Sequence, residues 1–378
     1  MSGEAINDTN IVYYWWKDRL FKNQSNKICL TLFQNVGKTC FLIYVLNDFR
    51  INNGKKNIMI NKIKFYECSL TIQNINITFD GCRFINSFVS ARGNNSISLA
   101  IYNSTFTTSM ATKQGINVVS LGKVSLKNSA IICYKSSEKM QFLILNGINL
   151  VVLQEITILQ SFGLFLMVIN YVKIVIKSFI VKTQQITHTR EEADDALLNF
   201  HCVQKVTIVG NFFLNTTGPL VCFIESNWIT IRYLYAIHSK ALRKTLIDIA
   251  LPSINLPKDN GIIVSSNRFD HCQCDSVFSI GPNSSVGVLT NSEKQGSTKS
   301  KDISHVLAEN INIFFVSMSF TKCNITSHHG VLYIWSGPRT KVAFNITIVH
   351  CSFVENINTQ TMPHVEFSGN KYATSVYI

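Results

Sequence analysis

One eight-residue template recurs along this chain and constrains its fold more than any other feature. It reads apolar, any, apolar, any two residues, a small residue or Cys or Asn, any, then Phe or another apolar residue. Clean copies are Ile77–Phe84 (ITFDGCRF), Leu99–Phe106 (LAIYNSTF), Val124–Ile131 (VSLKNSAI) and Val206–Phe213 (VTIVGNFF). Further copies are Ile262–Phe269 (IIVSSNRF), Ile313–Phe320 (IFFVSMSF) and Ile346–Phe353 (ITIVHCSF). Weaker copies begin at Ile63, Ile156, Val172 and Ile229. Phe closes seven of these eleven copies, although the chain holds only 25 Phe in 378 residues. The pattern is therefore more than general hydrophobicity.

Alternation of apolar and polar residues marks a strand with one buried face. The three-residue step to the small residue breaks that period, so the chain turns a corner there. A second short strand then sends the Phe inward. In the cleanest regions successive copies start 22, 25, 23, 33 and 33 residues apart, which suits coils of two or three strands stacked as a solenoid. The 14-residue step from Ile63 to Ile77 is too short for a full coil. Two polar segments, Gln184–Asp195 and Asn291–Asp302, read as insertions. A leucine-rich repeat does not fit, because in its best candidate, Phe142–Leu150, Asn146 and Asn149 fall out of register. The expected organisation is a cap or first strands over 1–56, one elongated repeat domain over 57–370 and a short end at 371–378.

These copies resemble the coils of the right-handed parallel β-helix, or pectin-lyase-like, family. The likeness is nearest to the "NCTFxNN" coils of large extracellular eukaryotic β-helix proteins and of polymorphic outer-membrane protein repeats. In those repeats a Gly-Gly-Ala-Ile type strand follows the Phe. Here His329–Ile334 (HGVLYI) stands in that place after Phe320, with one of the two glycines kept. The resemblance implies an all-β solenoid and says nothing about activity.

Composition agrees with many short strands: 46% of residues are hydrophobic and 15% charged, with only 18 Gly and 6 Pro. Collagen, coiled coil and long disorder are excluded. The 35 Lys and Arg outnumber 22 Asp and Glu, giving +13. Along the sequence these cations are scattered, without the motifs of specific nucleic-acid recognition. A solvated basic surface is expected, with an acidic polysaccharide or another extracellular protein as partner. No signal peptide is legible, and Phe162–Val181, the most apolar stretch, reads as adjacent buried strands because Asn170, Lys173 and Lys177 interrupt it.

Eleven cysteines occur with neither a CxxC pair nor zinc spacing, so most are expected to be free and buried. Nine sequons, at Asn7, Asn23, Asn76, Asn94, Asn103, Asn215, Asn283, Asn324 and Asn345, point to an extracellular setting within a longer secreted chain.

Few constellations carry chemistry. Asp194-Asp195 ahead of Val206–Asn211 resembles the aspartate pair of polygalacturonase-type glycosidases, where two carboxylates supply acid and base. The Asn-x-Asp, Gly-His-Gly and Arg-x-Lys elements that this family also needs are absent; Gly218-Pro219-Leu220 stands at the histidine's place. An exposed acidic loop is the plainer reading. Cys272 and Cys274 share one strand face, opposite His271 and Gln273, and a metal there would need ligands from another coil. Small buried hydrophobes explain them more simply. His328-His329 read as surface histidines, and Arg268, Arg339 and Lys341 could serve a lyase only beside a carboxylate. Tyr13–Trp16 reads as a cap on the solenoid end or a sugar-stacking platform.

The leading expectation is a non-catalytic extracellular scaffold, adhesion or glycan-binding module, without a cofactor. The alternatives are a polysaccharide lyase or glycoside hydrolase, and an intracellular structural or viral fibre protein. Ladders of Asn, Ser and Thr would favour the scaffold; acidic and basic groups converging on one groove would favour an enzyme.

Overall fold

Most coils of the computed structural model have three short strands, as at Ile77, while at Lys123–Cys133 and Leu150–Leu159 the first two merge into one. Asn76–Asp80 forms the first face, Arg83–Ile85 the second and Phe88–Arg92 the third. Ile77, Phe79, Phe84, Val89 and Ala91 all point into the core, as period-two alternation requires. The structure describes residues 28–35, 38–45, 57–62, 64–66, 69–108, 114–133, 141–159, 166–169, 173–177, 180–182, 196–251, 261–282, 310–326, 330–335, 343–358, 364–368 and 375–377. Among these there is no helix, and apart from one hairpin every strand pairing is parallel. Parallel strands from successive coils therefore stack into a parallel β-helix solenoid. The hairpin, Ile28–Asn35 with Lys38–Val45, is antiparallel, and its second strand lies against the first coil.

The register corrects three of the weaker template copies. Ile58, not Ile63, pairs with Ile77, and Phe65 pairs with Phe84. Val151 and Ile174 take the places assigned to Ile156 and Val172. The first step thus lengthens to 19 residues, which a full coil can accommodate. Phe162–Val181 contributes strands Leu166–Ile169, Lys173–Lys177 and the start of Ile180–Lys182. No helix among the described residues is long and apolar enough to cross a membrane. The insertions at 184–195 and 291–302 lie outside the described residues.

The corner has one backbone solution throughout. The fifth template residue has positive φ in every copy whose corner is described, from Lys62 through Gly81, Asn103 and Gly210 to Ser317 and His350. At non-glycine corners the N–H still finds a partner in the next coil: Asn103 donates to the Lys127 carbonyl at 3.1 Å and Ser266 to Val316 at 2.9 Å. The sixth residue completes the ladder. Cys82 N–H donates to Ser104 Oγ at 3.1 Å, and Ser104 N–H to Ser129 Oγ at 3.2 Å. Asn267 Oδ1 accepts from Leu234 N–H at 2.7 Å. A small polar residue here fits the corner and supplies an acceptor, which is the reason for the Cys, Ser and Asn preference.

Aromatic rings fill the second face. Phe65, Phe84 and Phe106 stack at centroid distances of 5.0 and 4.4 Å. Phe269, Phe320 and Phe353 stack at 5.5 and 5.0 Å. All are buried except Phe353, which is half-buried at the last coil and carries His364 on its outer side.

Candidate functional site

Side chains that alternation sends outward form columns along the stack, one per coil. On the third face the column runs Asn199, Cys222, Asp248, Ser279, Tyr333, Glu366. Asp248 is flanked along its strand by inward Ile247 and Ile249. Burial pushes its carboxyl above the ordinary carboxylate range, and hydrogen bonds with Ser279 and the Ile249 backbone offset only part of this. Two coils earlier, Asn199 Oδ1 and His201 Nε2 are buried without a hydrogen-bond partner. Burial lowers the His201 pKa, against the opposing charge of Glu225.

A carboxyl that holds its proton more tightly than usual, on an outward face, is a feature of a general acid. A glycosidase needs a second carboxylate about 5–9.5 Å away. Coils repeat at about 4.8 Å, so that partner would sit one or two places along the column. Those places hold Cys222, Ser279, Asn199 and Tyr333; Glu366 is three coils off, about 14 Å.

The second corner carries another cluster. His271 Nδ1 lies 2.7 Å from Asp270 Oδ1, and Arg268 Nη2 donates to Asp270 Oδ2 at 3.0 Å. Burial pushes the Asp270 carboxyl up, but its bonds to His271 and Arg268 outweigh that and hold it below its ordinary value. The His238 ring, one coil earlier, lies 5.0 Å from that of His271. Among the described residues no three His, Cys, Asp or Glu side chains are placed to hold a metal ion.

Cys272 and Cys274 point inward and His271 outward, as alternation requires. Cys323 of the next coil and burial hold the Cys272 thiol well above its ordinary value, and burial does the same for Cys274. Corner cysteines behave as serines do: Cys82 Sγ donates to the Ile60 carbonyl at 3.3 Å and Cys272 Sγ to Ala236 at 3.5 Å. None of Cys82, Cys202, Cys222, Cys272, Cys274, Cys323 and Cys351 is in a disulfide. Cys222 and Cys351 are only half-buried, and Cys202 departs furthest from the burial expectation. It is exposed at a third-face corner, its Sγ 3.5 Å from Glu225 Oε2, and partial burial, that bond and the carboxylate's charge raise its pKa.

Among the sequons, Asn94 and Asn103 are exposed, while Asn76, Asn215, Asn324 and Asn345 are half-buried. Several join ladders between coils. Asn103 Nδ2 donates to Asp80 Oδ1 at 2.8 Å and Asn345 Nδ2 to Asn312 Oδ1 at 3.1 Å, while Asn76 Oδ1 accepts from Ser98 N–H at 2.7 Å. Asp194, Asp195, Asn7, Asn23, Asn283, His328, His329, Arg339, Lys341 and Tyr13–Trp16 lie outside the described residues.

Two features escaped the sequence reading. Asp248 had a signal, a lone acid alternating with Ile in LIDIAL. The lysines flanking a template strand, as in KVSLK (Lys123–Lys127), signal cationic columns once the coils are stacked. No protein-family model matches the chain, and neither a curated protein nor a solved structure matches it.

Proposed function

We propose that this protein is a non-catalytic β-helix scaffold of the extracellular, pectin-lyase-like kind, displaying its outer faces for adhesion or glycan binding. The observation that carries the reading is the set of polar ladders between coils. Asn128 Nδ2 donates to Asn103 Oδ1, Asn345 to Asn312, Thr216 Oγ1 to Ser239 Oγ, and Thr245 pairs with Ser276. Side chains that satisfy one another from coil to coil stiffen a rod and leave its flat faces for contact. The nine sequons support an extracellular setting.

Asp248 favours a second reading, a polysaccharide-cleaving enzyme with this carboxyl as general acid. Incubation of the purified protein with acidic and neutral polysaccharides separates the two. The scaffold reading expects glycan retention without new reducing ends or unsaturated products. Product release that Asp248→Asn abolishes would establish the enzyme and overturn the scaffold.

A further inference from the structure

Stacking collects cations on the first face that the sequence leaves far apart. Lys123 and Lys205 share one outward column three coils apart, with Leu150 next after Lys123 and Trp228 next after Lys205. Lys127 and Arg232 share a second column, with Gln154 and Val209 interposed. The two columns are four residues apart along each strand, about 13 Å. Between them runs a floor of short side chains, Ser125, Val152, Thr207 and Thr230. Lys123, Lys205 and Arg232 are exposed and Lys127 half-exposed. Long cations along both sides of a short-chain floor make a trough parallel to the solenoid axis. It extends over five coils, about 19 Å at the strand spacing. The acid beside it is Glu155, at the corner, where its Oε1 accepts from Gln154 Nε2 at 3.1 Å.

Trp228 marks one end of the trough. Its Nε1 donates to Thr230 Oγ1 at 3.2 Å, and Lys205 Nζ lies 5.8 Å from the ring centroid. The indole leans over Gly261 of the next coil, where an added Cβ would stand 3.3 Å from it. The ring is thereby held at the sheet surface beside the cationic column.

We infer that this trough binds a linear acidic polysaccharide lengthwise, its carboxylate or sulfate groups paired with the two cationic columns and a sugar packed on Trp228. The trough is narrower than a nucleic-acid duplex. A single-stranded nucleic acid is held by aromatics interleaved with the cations for successive bases, whereas these columns carry one indole at one end. The assignment rests on the scaffold reading for its purpose, but its site is tested independently.

The test is binding of the purified protein to heparin and to polygalacturonate, with neutral dextran and an oligo(dT) of equal charge as comparisons. The test variant is K123Q/K127Q/K205Q/R232Q. The control, K62Q/K240Q/R268Q/K322Q, removes the same charge elsewhere. The inference expects salt-sensitive retention on both acidic polysaccharides and none on dextran. It expects a loss of about tenfold or more in the test variant and a much smaller loss in the control. Trp228→Ala should weaken binding of polygalacturonate while circular dichroism stays unchanged. Equal losses in both quadruple variants, no retention by the wild type, or tighter binding of oligo(dT) would each overturn the site. Chain cleavage during the assay would overturn the scaffold reading and leave the site standing.

Discussion

Asp248 is a carboxyl whose acid–base behaviour the fold changes through burial. Its folded pKa is raised, so the native state holds the proton more tightly than the unfolded chain does. That contribution to stability is fully present below the unfolded carboxyl pKa and is lost as pH rises through the folded value. At neutral pH the ionised carboxylate is therefore a burden on the fold. Asp248→Asn should raise the thermal midpoint near pH 7, and the difference should vanish below about pH 4. Thermal melts of both proteins across this range check the sign; a constant difference at all pH values would remove burial as the cause. Asp270 behaves oppositely. Its lowered pKa means that its contribution is lost as pH falls through the folded value, and its contact with the exposed Arg268 and His271 keeps that contribution modest.

At the scale of the element, the corner determines whether a coil can exist. Asn267 is almost fully buried, accepts from Leu234 N–H and donates to the Ile231 carbonyl at 3.2 Å. Asn267→Ala would orphan both groups inside the core, at a cost of about 3 kcal/mol. Phe269, two residues on, lies in the ring stack against Phe320 with Phe278 edge-on at 5.4 Å. Phe269→Ala should cost about 3–5 kcal/mol through lost burial and the cavity it leaves. Phe353→Ala should cost less, because that ring is half-buried at the end of the stack. Chemical denaturation of the three variants tests the order; equal costs for Phe269 and Phe353 would contradict a stack that tapers at its end.

At the scale of the molecule, stability comes from translation along one axis, and coils are interchangeable where their register steps are clean. Val206 pairs with Ile229 across a 23-residue step, and Lys205 occupies the same coil position as Trp228. Deletion of residues 206–228 removes one turn and brings the strand after it onto Lys173–Lys177. This variant should keep its β circular dichroism and a cooperative melt, since each coil contacts only its neighbours. Deletion of residues 206–217, about half a coil, shifts the inward residues out of register and should abolish folding. Equal damage from both deletions would count against a modular stack.

The solenoid was legible in the sequence because its determinants are local. Alternation, the break in period at the corner and the closing Phe each act within eight residues and recur. Three weak copies were misplaced, since apolar residues on either side of a corner satisfy the template in more than one frame. Only pairing with the neighbouring coil chooses Ile58 over Ile63. The inward cysteines were likewise legible from alternation. Exposed Cys202 was not, because its strand ends just before it and the corner turns it outward beside Glu225. The surface columns had no local signature at all. Lys123 and Lys205 are 82 positions apart in the chain, yet they lie three coils apart in one column. The burial that raises the Asp248 pKa depends in the same way on what surrounds it in the folded coil stack. The sequence by itself determined the coil, because backbone conformation and side-chain alternation are short-range. Only the tertiary structure decided which polar groups share a face, because that depends on the length of every intervening coil.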